Sequence, residues 1–400
     1  MGRKNTLLRL ASILLVLLIC VSGVFANGSN ESKSSGKVKL TFVETMTSPA
    51  RTQVLQALID EYEAQNPNIE IELISPPYEQ SDNKLTMMLN SNQEIDICET
   101  RDYTVKQFVN NGKLRDLTPY LNQWEGKDDL LDLTMEAACT VDNTPYLLPQ
   151  CIYVKGLFVR TDILNKYGIA MPTTMRELYD ASIAITGKAP EQYGYSLRGK
   201  ANCFKVSDIM MLGDIENVSS ENMYLTNDGQ YTYGTAAGKK ALADYVELYK
   251  KACPKDSINW GFNEQINGFV SGTTPFLIQD PDTLGVMDGQ LTESQFTVVP
   301  VPVGTTGKRC VDYGFAGLSI PTTSKHPDEA WNFIKWISSA EKNAEFCKSY
   351  GPLPINKSSF NNDPYFSSGV YKAWADELQD PLTELNSQKV LYRLLGQRNA

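Results

Sequence analysis

The sequence predicts an α/β fold of two lobes, each a mostly parallel sheet flanked by helices, joined by hinge strands. Three observations carry this expectation. Strand-like alternating segments and segments of helical spacing follow one another along most of the chain, the pattern of parallel strands covered by helices on both faces. A length of 400 residues with 42% hydrophobic content exceeds the roughly 250–300 residues at which a single core stops growing. Third, the β-branched and aromatic run from Leu147 to Val159 separates two such series. Pro149 rules out helix at its entrance, and the polar Gln150, Tyr153 and Lys155 suit a strand passing beside a wet cleft.

In chain order, Val38 to Glu44 alternates and predicts the first strand. Thr45 to Pro49 turn the chain, and Arg51 to Gln65 carries Val54, Leu55, Leu58, Ile59 and Tyr62 on one helical face. Asn66-Pro67 ends that helix; Ile69 to Ile74 is the second strand, Pro76 to Tyr78 a loop, Lys84 to Leu89 a short helix and Ile95 to Cys98 a third strand. In parallel sheets of this kind, ligands sit beyond the carboxyl ends of the strands. Those ends place Glu44, Tyr78 and the group Arg101, Asp102 and Tyr103 at one rim.

Beyond the crossing run, Asp162 to Tyr167 predicts a short helix, and Thr174-Met175-Arg176-Glu177 is a capping box opening the next one. Tyr193 to Gly199 is strand-like and puts Arg198 near its end. Asp208 to Leu212 is helical, and Asn227-Asp228-Gly229 is a turn. Ala237 to Ala252 spaces Leu242, Tyr245, Val246 and Tyr249 as a helical stripe read as core. Trp260-Gly261-Phe262 precedes a helix ending near Gly272, and Thr274 to Asp280 is a strand with polar residues at its exit. Phe296 to Val303, with Pro300 and Pro302, suits an edge strand or a lobe connection. Tyr313 to Ile320 is the last strand, and Asp328 to Cys347 a helix whose Trp331, Phe333, Ile334 and Ile337 form one apolar side.

The ends and the bulk composition exclude several functions. Arg3, Lys4 and Arg9, the apolar Leu10 to Val21 and the small-residue site Val24-Phe25-Ala26 predict an export signal, shorter than the roughly 20 residues that span a bilayer. The expected division is a signal peptide at 1–26, a flexible leader at 27–36, an N-terminal lobe of 37–148 plus 304–350, and a C-terminal lobe of 149–303 plus 351–400. Export implies a periplasmic or cell-surface protein, with a lipid anchor at Cys20 as the alternative to cleavage after Ala26. A net charge of −10 repels nucleic acid and anionic membrane. Past the signal, Cys98, Cys139, Cys151, Cys203, Cys253, Cys310 and Cys347 are odd in number and too widely spaced for C-x-x-C metal or redox motifs. They read as buried thiols with one or two disulfides at most. The single histidine, His326, precedes Pro327 at a helix start. No catalytic residue, metal site or cofactor is therefore expected.

The order of segments resembles the bacterial extracellular solute-binding proteins of the maltose-binding type, which deliver substrates to ABC importers. Glu94-Ile95-Asp96-Ile97 is similar to the family's PDI strand, and Gly112-Lys113-Leu114-Arg115-Asp116-Leu117 to its G-x-L-x-x-L. Leu148-Pro149 followed by Gly156 to Leu164, and Gly168-Ile169-Ala170-Met171-Pro172 leading to Glu177-Leu178, resemble the next strand and helices. Phe269-Val270-Ser271-Gly272, Pro300-Val301-Pro302 and Ser324-Lys325-His326-Pro327-Asp328-Glu329-Ala330-Trp331 continue the likeness. Arg160-Thr161 stands where the family has Tyr-Asn, Pro275 replaces an Ala, and the sequence stops at Ala400 where members continue into a last helix.

The resemblance implies a monomeric closing trap for a carbohydrate, working with ABC permease subunits in the cytoplasmic membrane. Sugar faces stack on aromatic rings while hydroxyls pair with carboxylates, amides and Arg. The expected ligand-binding residues are Glu44, Tyr78, Arg101, Asp102, Tyr103, Gln150, Tyr153, Arg198, Trp260, Asp280, Tyr313 and Phe315. Two alternatives stay open: the same fold holding a polyamine, peptide or iron, and a secreted glycosidase using paired carboxylates.

Overall fold

The computed structural model describes residues 36–386 apart from 140, 201, 202, 220, 221 and 381; the expected signal peptide, most of the leader and the chain end at 395–400 lie outside the described residues. β1 (Val38–Val43) and β2 (Ile69–Ile74) pair in parallel from Val38↔Ile69 to Val43↔Ile74. Between them α1 (Pro49–Gln65) starts where the Ser48 side chain accepts from the Arg51 amide at 3.3 Å, with Pro49 in the first turn, where its missing N–H has no intrahelical acceptor. α2 (Tyr78–Asn90) is longer than the expected Lys84 to Leu89, and Tyr78 is its first residue rather than part of a loop. Its first turn is polar and carries no apolar periodicity, so only Glu79 at the positive helix end hints at the start. β3 (Ile97–Arg101) pairs in parallel with β1.

β4 (Leu148–Val154) lies in the same sheet as β1 to β3, whereas β5 (Gly156–Val159) lies in a second sheet. Lys155 alone separates them, so the chain changes sheets at that residue. Gly156 is needed there for space: a Cβ would stand 3.0 Å from Val298 and 3.1 Å from the Trp374 indole. α3 (Thr161–Tyr167) ends at Gly168 with φ 63. α4 (Met175–Ile185) opens with both halves of the Thr174–Glu177 capping box.

The chain continues through α5 (Cys203–Leu212), α6 (Ala236–Ala252), α7 (Phe262–Val270), β6 (Phe276–Gln279) and β7 (Thr297–Val299). β6 and β7 flank β5, both antiparallel to it. A parallel neighbour comes from Tyr195, which bridges to Phe276; the rest of the strand-like stretch around it forms no longer ladder. The α6 stripe divides: Leu242 and Val246 are exposed, while the buried line runs through Ala241, Leu248 and Ala252. Tyr245 and Tyr249 pack at the margin of that core.

β8 (Arg309–Ser319) returns to the large sheet, antiparallel to β3 and β4. The single helix expected from Asp328 to Cys347 is two, α8 (Pro327–Ile337) and α9 (Ala340–Tyr350). The break lies at Ser338-Ser339, where the Ser339 hydroxyl accepts from the Lys342 amide and starts a new helix. After α10 (Lys372–Gln379), β9 (Thr383–Asn386) pairs in parallel with the first part of β8. The large sheet runs β2-β1-β3-β8-β4 with β9 beside β8, and the small one β6-β5-β7. The first core gathers Leu40, Phe42, Ile97, Leu148, Leu318 and Phe333; the second gathers Leu157, Val159, Leu178, Tyr195, Ile209 and Phe276. Cys98, Cys151, Cys203, Cys253 and Cys347 are free thiols, and burial pushes Cys151 up to about 12. Among the described residues, no helix is long and apolar enough to cross a membrane.

Candidate functional site

The ends of β1 and β3 meet in a buried ion cluster. Arg51, from the first turn of α1, reaches Glu44 at 2.5 Å and also bonds Glu99. Glu44 further accepts from Thr52 at 2.8 Å and Ser75 at 2.6 Å. Glu99 accepts from the Thr45 and Met46 amides at 2.8 and 2.7 Å. All three charged groups are closed off from solvent, so Glu44, expected at the rim, holds the strand ends together.

Two residues further along β3, Arg101 points to the rim. Its guanidinium lies 4.7 Å from the Tyr78 ring centre and 5.7 Å from that of Tyr103. It donates to the Tyr103 hydroxyl at 2.6 Å, to the Ser81 hydroxyl at 3.0 Å and to the Thr45 carbonyl, and it pairs with Asp82 at 3.3 Å. Tyr103 donates in turn to Asp82 at 2.7 Å. Tyr78 and Tyr103 are each 37% exposed. Two aromatic rings are thus held in fixed orientation by a buried cation while their remaining surface faces solvent.

Asp102, the next residue, accepts from the Tyr103 amide at 3.0 Å and from Lys205 of α5 at 3.2 Å. A Cβ at Gly314 of β8 would stand 3.6 Å from the Lys205 ammonium and 3.9 Å from the Cβ of Tyr153 of β4, the register partner of Gly314. Opposed residues in an antiparallel pair share a face. Tyr153 and Gly314 therefore face this ion pair, and Tyr313 and Phe315, stacked on each other at 6.4 Å, belong to the opposite face.

At the sheet crossing, Lys155 bonds both oxygens of Asp280 at 2.8 and 2.7 Å. Asp282 stands two residues on, accepting weakly from Tyr350 at 3.4 Å, and Tyr350 meets Tyr153 at 3.3 Å. Burial, then the like charge of Asp280, raises the Asp282 carboxyl to about 7 against the pull of Lys155. One Asp282 oxygen is enclosed with no partner. The Arg198 charge also reaches Asp282, and its guanidinium lies 5.8 Å from the Phe262 ring centre.

Trp260 and Gln150 are committed elsewhere. The Trp260 indole donates to Asp256 at 3.0 Å, and its ring crowds Gly268 so closely that a Cβ there would stand 2.7 Å away. Gln150 donates to Ser338 at 2.8 Å and turns toward the α8–α9 junction. Of the twelve expected residues, Tyr78, Arg101, Asp102 and Tyr103 form one group with Tyr153 beside it, and Asp280 and Arg198 another around Asp282. Sequence reasoning missed Asp82, Lys205, Asp282 and Tyr350. Asp282 had a local signal in Asp280-Pro281-Asp282 at the exit of β6; Lys205 had none. Among the described residues, no group of three or more His, Cys, Asp or Glu is placed to hold a metal.

Residues 47–344 match the profile of the bacterial extracellular solute-binding proteins. A binding protein of Brucella abortus is 24% identical over 354 residues, covering 87% of this chain and 83% of its own. The fold is similar to an ABC substrate-binding protein of Listeria monocytogenes solved with cycloalternan, at TM-score 0.74 and 18% identity over 90% and 91% of the two chains. It is also similar to a solute-binding protein of Agrobacterium vitis solved with D-mannitol, at TM-score 0.68 and 23% identity over 84% and 82%.

Proposed function

The chain belongs to the bacterial extracellular solute-binding proteins, and from that premise we propose that it captures a neutral sugar, oligosaccharide or sugar alcohol between its lobes by hinge closure. It then delivers the solute unaltered to the permease of an ABC importer. The observation that carries this reading is the rim itself: Tyr78 and Tyr103, clamped on Arg101, offer ring faces beside carboxylates that already have cations. Asp82 has Arg101, Asp102 has Lys205 and Asp280 has Lys155. Such pairs donate and accept toward hydroxyls, whereas a polyamine would have to displace the cations. The cycloalternan and mannitol bound by the similar folds support the same solute class.

Closure follows from differential affinity. A solute touching both lobes favours the closed arrangement, and moving a 1:99 balance to 99:1 takes about 5.5 kcal/mol. Several hydroxyl contacts and a stacked ring face are of the size needed. In this reading residues 37–148 plus 304–350 form one lobe and 149–303 plus 351–400 the other, with β4 and β8 as the connecting strands. The protein is exported to the periplasm or cell surface and works as a monomer.

A glycosidase is the second reading, favoured by the Asp282 carboxyl, which burial raises and which stands beside a second carboxylate, Asp280. The direct bonding of both Asp280 oxygens by Lys155 weighs against it. A thermal-shift panel of mono- and oligosaccharides, sugar alcohols, polyamines and metals separates the readings, since a cognate solute stabilises by mass action. A melt raised by a neutral saccharide or polyol supports the proposal. A response to polyamines or metals alone, or hydrolysis of a glycoside, overturns it.

A further inference from the structure

Lys205 and Asp102 are 103 positions apart, and the lobe division proposed above puts them in different lobes. Lys205 stands in the first turn of α5, whose next residues Val206, Ile209 and Met210 are packed in the second core with Leu157, Val159 and Tyr195. Asp102 follows β3, which is built into the first core through Ile97 and Cys98. Under the lobe division proposed above, their contact at 3.2 Å joins the two lobes beside the strands that cross between them. Both side chains are largely enclosed, 12% and 11% exposed, so water and salt screen the pair less than a surface pair. The floor beneath it is bare backbone. A Cβ at Gly314 would stand 3.6 Å from the Lys205 ammonium and 3.9 Å from the Asp102 carboxylate, in ordinary contact with both.

Two features separate this pair from the other cleft charges. Lys155–Asp280 and Arg101–Asp82 each join elements that remain neighbours within one lobe or at its hinge. Asp102 is also held on its own side, accepting from the Tyr103 amide while its own amide donates to the Phe315 carbonyl at 3.3 Å. A carboxylate fixed to one lobe thus meets an ammonium on a flexible stem from the other, which can release and re-form as the lobes move.

We propose that Lys205 is a positioning residue for solute capture: its ion pair with Asp102 across the lobes favours the closed arrangement before solute arrives. This rests on the reading of the chain as a closing trap. The pair lowers the part of the closure cost that solute must supply, because apparent affinity scales with the population of the binding-competent state. It also makes that population dependent on ionic strength.

The test uses the full mature chain without any solute, so it does not depend on which solute is bound. Small-angle scattering is recorded for wild type, Lys205→Gln and the charge-exchanged pair Asp102→Lys with Lys205→Asp, in roughly 0.05 M and 1 M NaCl, spanning strong to weak screening. Wild type is expected to be more compact in low salt and to expand in high salt. Lys205→Gln should be expanded in both, with the open-to-closed ratio raised about fivefold, and the exchanged pair should regain compactness in low salt. Melting curves report whether each variant is folded. Should the exchanged pair not fold, wild type against Lys205→Gln across salt still decides. Identical scattering for these two, indifferent to salt, overturns the latch. It would do so even if a sugar later proves to bind, whereas a salt-dependent latch with no sugar response would instead remove the assigned solute.

Discussion

Lys155 bonds both carboxylate oxygens of Asp280 at the residue where the chain leaves the large sheet for the small one. Lys155 is 6% exposed, and Asp280 is the counter-ion bonded to it. Asp280→Ala removes the carboxylate bonded to Lys155 at the hinge and a hydroxyl acceptor from the cleft. The expected result is solute binding weakened about tenfold or more, roughly 1.4 kcal/mol, with the folded circular-dichroism spectrum kept. Titration calorimetry with the solute found by thermal shift checks it; unchanged affinity removes Asp280 from the site.

Arg51 predicts a larger effect on stability. It neutralises Glu44 and Glu99 where the ends of β1 and β3 meet. Removing one member of a buried ion cluster leaves the others uncompensated, which costs about 3–5 kcal/mol. Arg51→Met should lower the unfolding free energy from urea denaturation by that amount, and a change near zero would show that the two carboxylates find other partners.

Glu377 predicts a dependence on pH. It is fully buried, accepts from the Val301 amide at 2.8 Å with one oxygen and leaves the other without a partner. Burial raises its carboxyl from 4.5 to about 8. The folded state therefore holds the proton more tightly than the unfolded chain, and this contribution, full below about 4.5, is lost as pH rises through about 8. Glu377→Gln keeps the acceptor and removes the charge. The variant should melt higher than wild type at about pH 8.5 and level with it near pH 4, as the linkage requires. Equal melting points at both would contradict the assignment.

The break between α8 and α9 predicts a cap effect. Ser339→Ala removes the acceptor for the Lys342 amide and should cost about 1 kcal/mol, read from denaturant unfolding. Gln150 reports on the same junction through its bond to Ser338.

These elements show what the sequence discloses and what it withholds. The Thr174–Glu177 capping box, the alternation of β1 and β2, and the crossing run around Lys155 were legible because each is written in adjacent residues. The α8–α9 break was not, since the apolar spacing of Trp331, Phe333 and Ile337 runs on toward Phe346 and masks two serines that start a helix anew. The rim group at Arg101 was readable from its place at a strand end. Glu44 occupies an equivalent end, yet Arg51, one turn into the next helix, takes it into the core. Tyr313 and Phe315 were expected, like Tyr153, among the ligand-binding residues; the β4–β8 register puts them on the face opposite Tyr153, and register follows from pairing rather than from either strand alone. Lys205 is set beside Asp102 only by the packing of α5 on the second core, so nothing near it in the chain announces the contact.

In the function we propose, two lobes close on a neutral, hydroxyl-rich solute. Small-angle scattering of the purified protein with and without each neutral saccharide or sugar alcohol that raises its melting point tests this. Contraction to a more compact curve on adding such a solute, with the solute recovered chemically unchanged, is the predicted result. A melt and a scattering curve that ignore every neutral candidate, or a solute recovered in hydrolysed form, would contradict it.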